Sequence, residues 1–182
     1  MMITSHLEHI AVAENDMLRL QCPCGCELFL LYRNAYSSEE QAVLDAYEAE
    51  CSKLLRHGTI CGKSDADGTV HIYRRRFGLF RHEIILPERP SFADITVIKA
   101  ICAECSTEHL LFDNRLHGYD ALTEQETIPY TVTLYRPMTK KPYIIWIQLE
   151  WDDDPDDFGW IGIGVSSSVN GKMRRVFDAE TA

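Results

Sequence analysis

Apolar and polar residues alternate over short stretches along most of the chain, which is the pattern of half-buried β-strands. Turn-forming pairs such as Asn15-Asp16, Asp67-Gly68 and Asn170-Gly171 separate some of these stretches. The predicted strands lie at residues 7–12, 17–20, 28–32, 70–72, 84–86, 95–101, 109–112, 130–135, 143–151, 160–165 and 172–177. The pattern therefore predicts a strand-rich protein.

One segment has helical periodicity instead. Ser37 and Glu40 have the spacing of a capping box, and Gly58 can take the left-handed conformation that ends a helix. Between them an apolar stripe recurs at helical spacing: Val43, Leu44, Tyr47, Cys51, Leu54 and Leu55. We expect this stripe to face a core and Cys51 to be a packed thiol within it. The fold class predicted is α+β, strand-rich with one prominent helix.

The length of 182 residues predicts a single domain over 1–182. Within it we expect paired ribbon strands at about 7–33 and 95–113. An inserted helix and hairpin should occupy 37–90, and a β-meander should occupy 128–178.

The composition, 46% hydrophobic and 25% charged, excludes a disordered chain, a collagen-like fibre and a coiled-coil rod. The net charge of −10 has the wrong sign for a general nucleic-acid binder. No secretory signal and no apolar run of membrane-spanning length is evident, so we expect a cytoplasmic protein with no membrane association. Thiols stay reduced in that compartment.

The seven cysteines carry the most specific chemical signal. Cys22 and Cys24, followed by Gly25, lie between two strand-like segments, and so do Cys102 and Cys105. Each pair is therefore expected at the tip of a hairpin. Two such turns facing each other would supply four thiolates in the tetrahedral arrangement that Zn²⁺ favours. Glycine after a cysteine permits a tight turn in which amides face the sulfurs. The predicted metal ligands are Cys22, Cys24, Cys102 and Cys105, and the predicted cofactor is a structural Zn²⁺.

On these two turns the chain resembles the zinc-ribbon group, and the resemblance covers a minority of the sequence. It implies a closed, structural Cys₄ zinc site. The first pair is C-x-C where the common pattern is C-x-x-C, so Cys26 could replace Cys22 or Cys24 as a ligand. The segment from Cys26 to Cys102 is far longer than the roughly 15–20 residues of the compact signature, which requires an insertion. Loop closure permits one, since its cost grows only logarithmically with length. The alternative is a group of reduced, redox-active cysteines.

A second candidate site is His109, Asp113 and His117, at i, i+4 and i+8, with Arg115 between them. On a helix these side chains would share a face and could bind a catalytic metal. The segment begins as a strand, however, which favours residues that organise a turn.

Three further features have ordinary structural explanations. Arg74, Arg75 and Arg76 among aromatics could contact single-stranded nucleic acid, although a solvated hairpin is favoured. The acidic run 152–157, like Asp65 and Asp67, is expected to be a solvated hairpin tip rather than a cation site. Cys61 is expected in a strand, with a metal-ligand role kept as an option.

These patterns predict a structural-zinc protein that acts as a non-enzymatic binding or adaptor module for a protein or small ligand. A hydrolase with His109, Asp113, Arg115 and His117 at its site is the alternative hypothesis. A nucleic-acid-binding module is the third.

Overall fold

The structure, a computed structural model, describes residues 7–55, 59–64, 70–76, 80–117, 130–151, 158–167 and 171–180. Two compact units are present, one formed by residues 1–35 with 95–182 and the other by residues 36–94. The division into one domain with ribbon, insertion and meander stays a prediction. Among the described residues, one α-helix accompanies strands in three sheets, which confirms the α+β, strand-rich fold class.

The first unit contains two antiparallel sheets. Its strands are β1 (Ala11–Glu14), β2 (Met17–Leu20), β3 (Phe29–Asn34), β7 (Val97–Cys102), β8 (Glu108–Asp113), β9 (Tyr135–Pro137), β10 (Ile144–Trp151), β11 (Phe158–Ser166) and β12 (Met173–Glu180). One sheet has the order β1-β2-β10-β11-β12, and the other has the order β8-β7-β3-β9. The strands between β3 and β7 in sequence belong to the second unit.

A single hydrophobic core joins these two sheets. Phe29 and Leu31 of β3 and Ile145 and Ile147 of β10 are all fully buried and belong to one cluster. Along β3 and β10, alternation places Phe29, Leu31, Ile145 and Ile147 in this core, and each buried aliphatic or aromatic residue contributes roughly 1.5–3 kcal/mol. The core therefore fixes the strand ends from which the cysteine turns extend.

Two predicted strands of this unit differ from the structure. Residues 130–134 have no strand, and β9 begins only at Tyr135. Leu7 and Ile10 are buried, but they lie in a turn closed by a 3.0 Å hydrogen bond from Ile10 N to Leu7 O. Alternating apolar residues there reflect burial of a turn against the core.

The second unit contains the helix α1 (Ser38–Leu55), a 3₁₀ helix (Ser91–Asp94) and a sheet of β4 (Thr59–Ser64), β5 (Val70–Arg76) and β6 (Phe80–Ile84). The predicted capping box is confirmed: Ser37 N donates to Glu40 Oε2 at 2.7 Å, and Glu40 N donates to Ser37 Oγ at 3.2 Å. No residue of α1 is buried, and Cys51 is half-buried, so the prediction of a core-facing stripe with a core thiol is wrong.

Several sequence predictions fall on parts of the chain that the structure does not describe. The acidic run 152–157 and Asp65 and Asp67 lie outside the described residues. Arg74, Arg75 and Arg76 belong to β5, and Cys61 belongs to β4, but their side chains are likewise outside the description. Among the described residues no helix has the length and apolar character that crossing a bilayer requires.

Candidate metal centre

Strand pairing between β3 and β7 brings the two cysteine turns together. Phe29, at the start of β3, is in register with Cys102, at the end of β7. Beyond that pair, Ala103 N donates to Leu28 O at 2.9 Å. Because the strands are antiparallel, the segment that enters β3 and the segment that leaves β7 lie at the same end of the paired strands.

The two turns differ in what they connect. The second turn, with Cys102 and Cys105, joins the paired strands β7 and β8 and is a hairpin tip as predicted. The first turn, with Cys22 and Cys24, links β2 of the five-stranded sheet to β3 of the four-stranded sheet. The expectation that both turns are hairpin tips is therefore wrong for the first.

The four sulfurs form a compact group. The Sγ atoms of Cys22, Cys24, Cys102 and Cys105 all lie within 4.8 Å of one another. Cys22 Sγ is 3.5 Å from Cys105 Sγ, and Cys24 Sγ is 3.6 Å from Cys102 Sγ. A regular tetrahedron of sulfurs around Zn²⁺, each about 2.3 Å from the metal, has edges of about 3.8 Å. The donor set and its spacing fit a single metal ion.

These contacts are between thiols and not within disulfides. A disulfide needs sulfurs about 2.05 Å apart, and all four cysteines are free. Cys22 and Cys102 are buried, while Cys24 and Cys105 are exposed. One side of the cluster thus faces the core and the other faces solvent.

Backbone hydrogen bonds shape each turn. In the first, Gly25 N donates to Cys22 O and Cys22 N donates to Cys26 O, both at 2.8 Å. In the second, Ser106 N donates to Cys102 O at 3.1 Å. Gly25 has φ +93° and Ser106 has φ +60°, so each turn has a left-handed residue directly after its second cysteine. The Cys-Gly pair in the sequence signals the first of these, and nothing in the sequence signals the second.

The surroundings raise the pKa values of some thiols of the cluster and lower those of others. Burial raises the pKa of Cys22 to about 12. The hydroxyl and the amide of Thr107 lower the pKa of Cys105 to about 6. Burial alone would raise the pKa of Cys102. Hydrogen bonds from the amides of Cys105 and Glu104 outweigh burial, so the pKa of Cys102 is lowered. Amide donors of this kind stabilise thiolates, and a divalent cation among the sulfurs would stabilise all four in that form.

Two more residues lie beside the cluster. Cys26, the alternative ligand, is buried, and its sulfur is 3.4 Å from both the N and the O of Leu28. It is not part of the four-sulfur group. His109 Nε2 is 3.5 Å from Cys22 Sγ, and its ring meets Phe29 edge-on at 6.0 Å between centroids. The sequence places His109 in a different candidate site, so its contact with the cluster was missed.

The predicted His/Asp site does not assemble. Asp113 is buried and forms a two-point ion pair with Arg115, whose Nε and Nη2 donate to the carboxylate at 2.9 and 2.6 Å. His117 Nδ1 accepts a 3.0 Å hydrogen bond from Asp113 N. His109 lies near the opposite end of β8, roughly 13 Å along the strand from Asp113. These contacts agree with the turn-organising interpretation.

Arg115 also contacts the segment that precedes β9. Its Nη1 donates to Tyr130 O at 2.7 Å, and the Asp113 carboxylate raises the pKa of its guanidinium. Arg115 therefore joins the end of β8 to the segment that leads to β9.

The chain matches no protein-family model, no curated protein and no solved structure.

Proposed function

We propose that this chain is a structural-zinc protein related in its site to zinc ribbons, with one Zn²⁺ bound by Cys22, Cys24, Cys102 and Cys105. The observation that carries the proposal is the convergence of four free thiols, all within 4.8 Å of one another, from turns 78 residues apart in sequence.

The donor set favours zinc over the commoner hard cations. Four sulfurs in a tetrahedral arrangement select Zn²⁺ or iron, whereas Mg²⁺ and Ca²⁺ require oxygen ligands. Zn²⁺ has no redox chemistry and suits a protein of a reducing compartment, which is the cytoplasmic location we propose.

A site with four protein ligands has no open coordination position for a substrate or a water molecule. Its contribution is then to folding. The first turn joins strands of two different sheets, and the second joins β7 to β8, so a shared ion would cross-link both sheets at one edge. In zinc-finger peptides such binding contributes on the order of 10–16 kcal/mol to the folded state.

We infer from this that the protein is a non-enzymatic binding or adaptor module, with a protein or a small ligand as its partner. Support comes from the residues of the alternative enzyme site: Asp113, Arg115 and His117 bind one another in a turn, and His109 contacts Cys22.

The test is the metal content of the full-length protein purified without added metal, measured by inductively coupled plasma mass spectrometry. We expect about one zinc per chain, with metal lost in Cys22→Ser, Cys24→Ser, Cys102→Ser and Cys105→Ser. Cys26→Ser and Cys51→Ser are the matched controls and should keep it, because their sulfurs lie outside the group.

A ligand variant that fails to fold would also lose metal, so a second measurement uses the unaltered protein. Replacement of the bound metal by Co²⁺ should give the intense sulfur-to-metal charge-transfer bands and visible bands of tetrahedral tetrathiolate coordination. A folded protein with no metal, or with iron in place of zinc, would overturn the zinc assignment. Retention of zinc in Cys24→Ser with loss in Cys26→Ser would overturn the ligand set.

A further inference from the structure

A basic cavity lies at the end of the five-stranded sheet where β10 and β12 begin and β11 ends. Its volume is about 490 Å³, and its lining includes Lys141, Lys172 and Arg174. None of its described lining residues is acidic, although acidic residues outnumber basic ones by 28 to 18 in the whole chain. The cavity is therefore locally positive in a protein whose net charge is negative.

The wall that carries Lys141 is fixed to the core. Tyr143 exchanges two backbone hydrogen bonds with Phe29, at 2.8 and 2.9 Å. On the other side of Lys141, the buried Thr139 accepts a 3.1 Å hydrogen bond from Leu31 N through its hydroxyl. The Lys141 ammonium lies 5.5 Å from the centre of the Tyr143 ring, within the range of a cation–π contact.

The opposite wall is formed by the end of β11 and the start of β12, with Ser167 and Lys172 beside them. Val165 of β11 is in register with Arg174 of β12, and Gly171 N donates to Ser167 O at 3.1 Å. Gly171 has φ +62°, a conformation that glycine takes without strain. Both cationic walls thus rest on hydrogen-bonded backbone, which lowers the ordering cost of binding.

The cavity also has an apolar part. Tyr143, Val165 and Met173 contribute to this part of its lining.

We propose that this cavity binds a small organic phosphate, with the phosphate group among Lys141, Lys172 and Arg174 and the organic part against Tyr143 and Met173. A dianionic phosphate matches three cations better than a single carboxylate does, and arginine can donate to it through two parallel N–H groups. The volume lies within the range of small-molecule sites and exceeds what inorganic phosphate alone needs. The site is separate from the proposed metal centre and does not depend on it.

The test is calorimetric titration of the full-length protein with phenyl phosphate, inorganic phosphate and phenol at low ionic strength. We expect phenyl phosphate to bind more tightly than inorganic phosphate and phenol not to bind measurably. Each of Lys141→Ala and Arg174→Ala should weaken phenyl phosphate binding about three- to tenfold, since solvent screens these exposed charges. Raising the salt concentration should weaken it further.

Lys140→Ala is the matched control, because Lys140 is the exposed neighbour of Lys141 and does not line the cavity. It should leave the affinity unchanged. No binding of phenyl phosphate, equal affinity for inorganic phosphate, or an equal loss in Lys140→Ala would each overturn the proposal. Because the zinc content of these variants should stay that of the unaltered protein, failure here is distinguishable from failure of the metal assignment.

Discussion

Gly25 and Ser106 occupy equivalent positions in the two cysteine turns. Each follows the second cysteine of its turn, and each has a left-handed backbone, with φ +93° and +60°. The turns thus share a local conformation although one joins two sheets and the other closes a hairpin. This conformation is strained for residues with a Cβ atom and relaxed for glycine.

Substitutions at these two positions should have opposite effects. Gly25→Ala places a Cβ in open space, with no heavy atom within 4 Å, so its cost is conformational and should be about 1–2 kcal/mol. Ser106→Gly should stabilise the protein by up to about 1 kcal/mol, because relief of strain exceeds the added chain entropy. Denaturant titration with zinc in excess measures the change in the free energy of unfolding for each variant. Destabilisation by Ser106→Gly would show that its side chain is needed more than a relaxed backbone.

The register of Phe29 against Cys102 provides a test of how the core supports the metal centre. Phe29 is fully buried, so Phe29→Ala should lower the free energy of unfolding by about 3–5 kcal/mol and weaken zinc binding. Val43→Ala is the control: Val43 is 49% exposed, so this variant should change the free energy of unfolding by less than about 0.5 kcal/mol. Thermal unfolding and competition with a zinc chelator measure the two effects. Unchanged zinc affinity in a destabilised Phe29→Ala protein would show that the turns assemble without this pair.

The sequence predicted the two cysteine turns, but it did not predict the strand pairing that brings them together. Cysteine spacing and Gly25 identify two tight turns, since these are local properties. That Phe29 and Cys102 are neighbours depends on a strand register across a long insertion, which no short-range pattern encodes. The first turn's link between two sheets is likewise a tertiary feature.

Two further local patterns in the sequence do not determine the tertiary surroundings of their residues. The apolar stripe of α1 has the period of a buried face, yet none of its residues is buried, because periodicity fixes which side chains share a face and not what covers it. His109 and Asp113 have helical spacing but belong to a strand, which separates them.

The ion pair of Asp113 and Arg115 should stabilise the protein without affecting metal binding. Arg115→Met leaves a buried carboxylate without its two-point partner and should cost about 2–3 kcal/mol, less than a fully buried pair because Arg115 is partly exposed. The zinc content should not change. Arg136→Met, at an exposed position, is the control. Loss of metal from a folded Arg115→Met protein would instead show that the metal centre depends on this ion pair.

His109 should tune the metal centre from outside the ligand set. Its Nε2, 3.5 Å from Cys22 Sγ, can donate a hydrogen bond to the thiolate, and the edge-on ring of Phe29 orients it. His109→Phe keeps an aromatic ring there but removes the donor, so zinc should still bind once per chain with about tenfold weaker affinity. Competition with a chromophoric chelator measures this, and His117→Phe, beyond the opposite end of β8, is the control. A complete loss of zinc in folded His109→Phe would mean that His109 is itself a ligand, and an unchanged affinity would mean that the contact has no influence on the metal.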